Sequence, residues 1–210
     1  MIYAIIIPLV YYRKDFFIMS KVFWNGSIVL APVPPVLVTC GTMESNNVLT
    51  VAWTGVLNTR PPMTYVSIRP ERYSYDIIKK TGQFAINLTT SAMCKQVDFC
   101  GVRSGKDIDK FKACNFSLLS ANKIDTPIIE ECPVALECVV KEAIDLGSHT
   151  MFMSEIVGVD IDQKYIDSKG KLNLQQSGLM AYSHGEYFAL GRKLGDFGFS
   201  VRKKKKRNTK

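Results

Sequence analysis

Apolar positions along the chain come mostly in short runs, and few of them recur at helical spacing. Residues 36–40 are apolar and rich in β-branched side chains, the pattern of a buried strand. Pro32, Pro34 and Pro35 mark the loop before it, and Asn25-Gly26 is a tight-turn signal. A polar turn over 44–47 leads to a second strand over 48–53. Arg60-Pro61-Pro62 ends the connection that follows, and 64–68 forms a third strand. One helix is well marked: Ser74 suits its N-cap, Asp76 its first turn and Gly82 its stop. Beyond it, 84–88 reads as a strand, 91–99 as a short helix and 107–112 as a helical turn. Long strands are expected over 134–143 and 152–161, then a turn at Lys169-Gly170 and at best a short strand over 172–174. The remainder is rich in glycine and aromatics.

Many strands with a few short helices, and no regular βαβ alternation, argue for a mainly β (α+β) fold. The expected form is a closed or partly closed antiparallel barrel with peripheral helices. At 210 residues the chain is one domain by default.

The formal charge of +8 changes the picture only until it is located. Of the 27 lysines and arginines, seven lie in 202–210; the remaining 20 face 19 acids, a net of +1. Residues 202–210 therefore read as a basic, disordered tail on a near-neutral body. No aromatic residue interleaves those charges, and the body offers no charged groove, so nucleic acid is not an expected partner. Residues 1–21 read as an extension. Met1 to Val10 is too short an apolar run to span a bilayer, and Met19-Ser20-Lys21-Val22 looks like an ordinary start. The expectation is a mis-called start or a poorly ordered extension over 1–18, with the domain itself over 22–201.

Six cysteines form no C-x-x-C pair, and neither His149 nor His184 sits in a Cys/His cluster, so no metal site is expected. Reduced cysteines in a cytoplasmic protein fit this spacing. No dinucleotide fingerprint, Walker A loop or H-E-x-x-H motif is present; Asp196-Phe197-Gly198 lacks the kinase catalytic loop that would give it meaning.

The informative stretch is the middle of the chain. Ser67-Ile68-Arg69-Pro70-Glu71-Arg72-Tyr73-Ser74 sets two arginines and two hydroxyl side chains at a strand-to-helix junction. Free N–H groups at a helix start and forked arginine donors suit a phosphate. The same arginines also suit surface pairs with Glu71 and Asp76. Upstream, Thr50-Val51-Ala52-Trp53-Thr54-Gly55 suits the polar edge of a flat ring, though taken alone it reads more readily as a buried strand with a core tryptophan.

These two segments, with Pro61-Pro62-Met63 between them, resemble the signature of the flavoredoxin branch of the flavin reductase-like family. Further pieces agree: Phe84-Ala85-Ile86-Asn87-Leu88, Asp98-Phe99-Cys100-Gly101-Val102, Leu146-Gly147-Ser148-His149 and Ala181-Tyr182-Ser183-His184-Gly185-Glu186-Tyr187. The resemblance runs from about 32 to 201. It implies a six-stranded antiparallel split β-barrel with Greek-key connectivity, a homodimer, and FMN held non-covalently near the subunit interface. By the same resemblance, Thr50, Ala52, Trp53 and Thr54 lie along the flavin ring and ribityl chain. Ser67, Arg69, Tyr73 and Ser74 take the phosphate, Asn87 and Leu88 close over the flavin, and Cys100, Gly101 and Lys110 add a polar wall. His184 and Tyr187 fall near the open flavin face, with His184 the candidate proton donor. Taken alone, Cys100 reads more readily as a small packed residue and His184 as a structural one. The implied activity is electron transfer from NAD(P)H through FMN to a small acceptor. The alternative is an electron carrier reduced by a partner protein.

Overall fold

A computed structural model describes residues 21–202; the expectations for 1–18 and for most of the basic tail lie outside them. The fold is mainly β with a few short helices. In chain order come β1 (Val36–Gly41), β2 (Asn46–Val51), β3 (Thr54–Thr59), β4 (Pro62–Ile68), α1 (Tyr73–Thr81) and β5 (Gln83–Leu88). Then follow α2 (Cys94–Val102), α3 (Lys110–Cys114), the two-residue strands β6 (Leu118–Leu119) and β7 (Ile128–Ile129), β8 (Val134–Asp145) and β9 (Thr150–Ile161). A hairpin of β10 (Met180–Ser183) and β11 (Glu186–Ala189) closes the series. Among the described residues no helix is long and apolar enough to cross a membrane.

The main sheet has seven strands, not the expected six, in the order β2-β1-β5-β8-β9-β4-β3, and every pairing is antiparallel. The additional strand is β3. Its residues are mostly exposed, so the buried alternation that announces the other strands is missing from it. No ladder joins the terminal strands β2 and β3, so the barrel is not closed by hydrogen bonds. They are nevertheless consecutive in the chain, and only Ala52 and Trp53 separate them. Three Cα–Cα steps span at most about 11 Å. The sheet must therefore curl until its two ends meet at that link.

Alternation inside the curl is regular. Val36, Val38 and Cys40 of β1, Leu49 and Val51 of β2, Val66 and Ile68 of β4, and Phe84 and Ile86 of β5 all point inward. Phe152 of β9 joins them, and Ile78 of α1 plugs one end. A second cluster lies on the opposite face of β1 and β2. Leu37 and Val48 meet Met93, Val97, Cys100 and Phe111 from the helical segment between β5 and β6. Strand β1 is thus buried on both faces, which is why it reads as a continuous apolar run.

Helix α1 ends as expected. Gly82 adopts φ 67°, and its N–H donates to the Ile78 carbonyl. Its start differs. Arg72 occupies the N-cap position with no side-chain cap, and Ser74 lies fully buried inside the helix. The Ser74 hydroxyl accepts from Asn47 Nδ2 at 2.7 Å, so it faces β2 instead of its own helix's amides. The hairpin at 180–189 went unread because its turn is His184-Gly185, with φ of 49° and 86°. A two-residue turn of that hand favours Asn or Gly at its first position, and histidine gives no such signal. The stretch 172–174 holds one isolated bridge, Ile166 with Leu172, before a 3₁₀ turn at Leu174–Gln176.

Candidate functional site

The link between the terminal strands is also where a cavity opens. Trp53 is held there by its carbonyl, which accepts from the Ser67 N–H of β4 at 2.9 Å. Thr50, one turn of the pleat earlier, donates its hydroxyl to the Val97 carbonyl of α2. That bond draws α2 onto β2. The approach is close at Gly101, where a Cβ would lie 3.3 Å from the Thr50 Cβ. A larger residue at 101 would push the helix away.

Between these elements lies a cavity of about 520 Å³. One wall is residues 49–53, and a second is Ser67 and Arg69 at the end of β4. A third is Asp98, Gly101 and Val102 of α2, and His149, Tyr182 and Tyr187 add to the lining. The rings of Tyr182 and Tyr187 lie 5.3 Å apart, and the Tyr187 hydroxyl reaches Asp98 at 3.4 Å. Burial and the neighbouring Asp98 push the Tyr187 phenol up to about 12, so it stays a neutral donor.

A smaller pocket of about 90 Å³ adjoins this cavity, sharing Leu49, Arg72 and Val102 with it. It sits at the uncapped start of α1 and is lined further by Asn47, Glu71, Tyr73, Ser74, Arg103, Ser104, Gly105 and Lys110. Lys110 is only 3% exposed. Its Nζ donates to the carbonyls of Val48 at 2.7 Å and Cys100 at 2.9 Å. It belongs to none of the ion pairs among the described residues. Burial pulls its ammonium below the usual lysine range. Arg72 crosses between the two spaces, its guanidinium donating to the Gly101 carbonyl. Gly105 leaves the room: a Cβ there would collide with Asn47 Oδ1 at 2.0 Å. The helix N-terminus, three cations (Arg72, Arg103 and Lys110) and hydroxyls converge here; the one carboxylate in the lining, Glu71, pairs with Arg69 and not with Lys110, so the arrangement can receive an anion.

The expected site residues divide into three groups. Thr50, Ala52, Trp53, Ser67, Arg69, Gly101 and Tyr187 line the large cavity, and Tyr73, Ser74 and Lys110 line the small pocket. Arg69 stands at the mouth, largely exposed and 3.8 Å from Glu71. Thr54 and His184 line neither. They border a third, mainly apolar pocket of about 230 Å³ on the other side of Trp53. The Thr54 hydroxyl is used within the sheet, donating to the Tyr65 carbonyl at 2.6 Å. Asn87, Leu88 and the Cys100 thiol lie behind the wall. Asn87 is fully buried, donating to the Leu37 carbonyl and accepting from the Ile129 N–H, so its amide ties β7 to the sheet. Leu88 packs against the barrel interior.

The resemblance assigned no role to Asn47, Arg72, His149 or Tyr182, although Arg72 is one of the two arginines that suit a phosphate. Three of these stand inside the motif pieces quoted above and were findable there. Asn47 had no signal, because its role depends on β2 lying beside α1.

A family model described as a flavin reductase like domain matches residues 30–191, most of the chain. The chain belongs to that family. A protein of Archaeoglobus fulgidus, called uncharacterized, is 32% identical over 144 residues, covering 69% of this chain and 81% of its own. Two solved flavoredoxins share the fold and 26% identity, each covered over 100% of its length by 87% of this chain. They are those of Desulfovibrio vulgaris (Miyazaki F), with a TM-score of 0.80, and Methanosarcina acetivorans, with 0.78.

Proposed function

We propose that the joined cavities hold FMN and that the protein is a flavin-dependent oxidoreductase, passing electrons from NAD(P)H to a small acceptor. The observation that carries this is the pairing of the two spaces. A ring-sized cavity with aromatic and backbone walls opens into a small pocket lined by cations and a helix start. The larger volume falls in the range of about 300–1,000 Å³ typical of small-molecule sites. The residues fit the group. Ser74, Lys110, Arg72 and the first amides of α1 supply donors for a phosphate. Residues 50–53 supply a strand edge without a ladder partner for the polar rim of the ring.

When bound, FMN supplies hydride and electron transfer at its ring. The chain's own part is to position and to exclude. Gly101 lets α2 approach β2, Trp53 and Tyr182 wall the ring site, and Tyr187 offers a neutral hydroxyl. Of the two histidines, His149 lines the cavity, so it takes the proton-donor role in preference to His184. The alternative, an electron carrier reduced by a partner protein, is favoured by the likeness to flavoredoxins. A homodimer is supported by the apolar side chains that β3 leaves exposed, Val56 at 80% and Leu57 at 44%. A monomer by light scattering overturns that part.

The deciding experiment is an absorbance spectrum after FMN addition and desalting, followed by stopped-flow mixing with NADH and NADPH. A retained flavin band that bleaches supports the enzyme. A retained band that neither nucleotide bleaches favours the carrier. No retained band defeats both.

A further inference from the structure

Six cysteines are spread through the described residues, and none forms a disulfide. Four of them do no more than fill space or bond to backbone. Cys40 and Cys138 are buried in the barrel interior, and Cys132 and Cys94 pack in the outer cluster. The remaining two touch each other. The sulfurs of Cys100, near the end of α2, and Cys114, the last residue of α3, stand 3.7 Å apart.

We propose that Cys100 and Cys114 are a modification site: a dithiol that oxidises reversibly to a disulfide, with a low-molecular-weight disulfide as the oxidant. The geometry favours the pair over any other. A disulfide needs its sulfurs at about 2.05 Å, so closure asks for an approach of under 2 Å between two thiols already in contact. Access is one-sided. Cys100 is fully buried and Cys114 half-buried, so Cys114 meets the oxidant first. The Cys114 thiolate attacks one sulfur of the external disulfide and releases one thiolate. The Cys100 thiolate then attacks the Cys114 sulfur of the mixed disulfide and releases the second. Two protein thiols lose their protons and two electrons, and one external disulfide becomes two thiols.

The segment this bond closes, 101–113, is the one that builds the proposed cofactor site. It carries Gly101 of the cavity wall, Ser104 and Gly105 of the small pocket, and Lys110. Oxidation fastens both ends of that segment together and holds the pocket in its receiving shape, so flavin leaves more slowly. This second half rests on the FMN reading; the chemistry of the thiol pair does not. Burial pushes the Cys100 thiol up to about 12, which makes the reaction slow near neutral pH and faster as pH rises.

The test uses the full chain and oxidised glutathione at alkaline pH, with free thiols then alkylated and peptides weighed. The expected product is one internal cross-link between the Cys100 and Cys114 peptides, with the other four cysteines alkylated. Cys114→Ser, at a half-buried position, removes it while the fold and the other thiols stay as they were. A stable glutathione adduct on Cys114, or no reaction there, overturns the site. Flavin release is then timed in the oxidised and reduced forms, with a several-fold slowing expected that Cys114→Ser abolishes. A cross-link with no change in release overturns the regulatory half alone. A protein that binds no flavin at all sinks the FMN reading and leaves the mass result standing.

Discussion

The barrel interior and the annex that α2 and α3 build on the outer face of β1 and β2 are both buried, but they are built on opposite terms. Inside the curl, apolar side chains from six strands interdigitate, and no member is special beyond its volume. In the annex, polar groups are buried singly, each with an assigned partner. Lys110 serves the Val48 and Cys100 carbonyls, Asn47 serves Ser74, and Asn87 bridges β1 and β7. Packing of the first kind supplies stability, and packing of the second kind fixes positions. The candidate site draws its shape from the second.

The comparison breaks most visibly in the interior. Phe84 is fully buried among the barrel side chains. Phe84→Ala should cost about 3–5 kcal/mol in urea or thermal unfolding, with flavin affinity per folded molecule unchanged. A selective loss of flavin instead would erase the division. Next in size is Lys110→Met, which keeps much of the volume and removes the charge. It leaves the Val48 and Cys100 carbonyls unpaired, for a stability loss of about 1–3 kcal/mol. Flavin affinity should fall at least about tenfold by titration, in line with a lost charge-assisted bond. Equal affinity would move the phosphate out of the small pocket.

The smallest effect sharpens the rule about assigned partners. Glu137, buried on β8, accepts from the Asn122 and Lys123 amides and so pins the loop before β7. Its neighbour Asp160 has one carboxylate oxygen, Oδ2, buried without a partner. Burial first, and then Glu137, raises the Asp160 carboxyl from its ordinary 3.8 to about 6. The folded state therefore holds a proton between those values that the unfolded chain releases. This group's stabilisation is full below pH 3.8 and is lost as pH rises through 6. Glu137 is held below its ordinary value by those two amides, and its contribution runs the other way, lost as pH falls. Asp160→Asn should flatten the loss between pH 4 and 6 and gain a few tenths to about 1 kcal/mol at pH 7, the exposed part of the pair being screened. Identical melting curves from pH 4 to 8 would remove Asp160 from the balance.

The same contrast explains how far the sequence could be read. Strands β1, β4, β5, β8 and β9 were legible because alternation or an unbroken apolar run records burial directly. Strand β3 was not, since most of its side chains are exposed and its pairing is made by backbone. At the site, Thr50, Trp53, Ser67 and Arg69 stand in short motifs and line the cavity. Asn87 and Cys100 stand in motifs just as clear, yet their side chains point behind the wall. A linear pattern records that a residue is near a site, not which side of its strand or helix meets it. Asn47 and Lys110 acquire their roles only when β2, α1 and α3 converge.

The link at Ala52 and Trp53 acts as a gauge for the seam of the barrel. With no ladder across it, the gap between the terminal strands is set by how much chain connects them. One added residue would let that gap widen by at most about 3.5 Å and would turn every following side chain of β3 to the opposite face. The size of what the seam admits is thus written in a chain length of two residues, and it can change without disturbing one side chain of the interior.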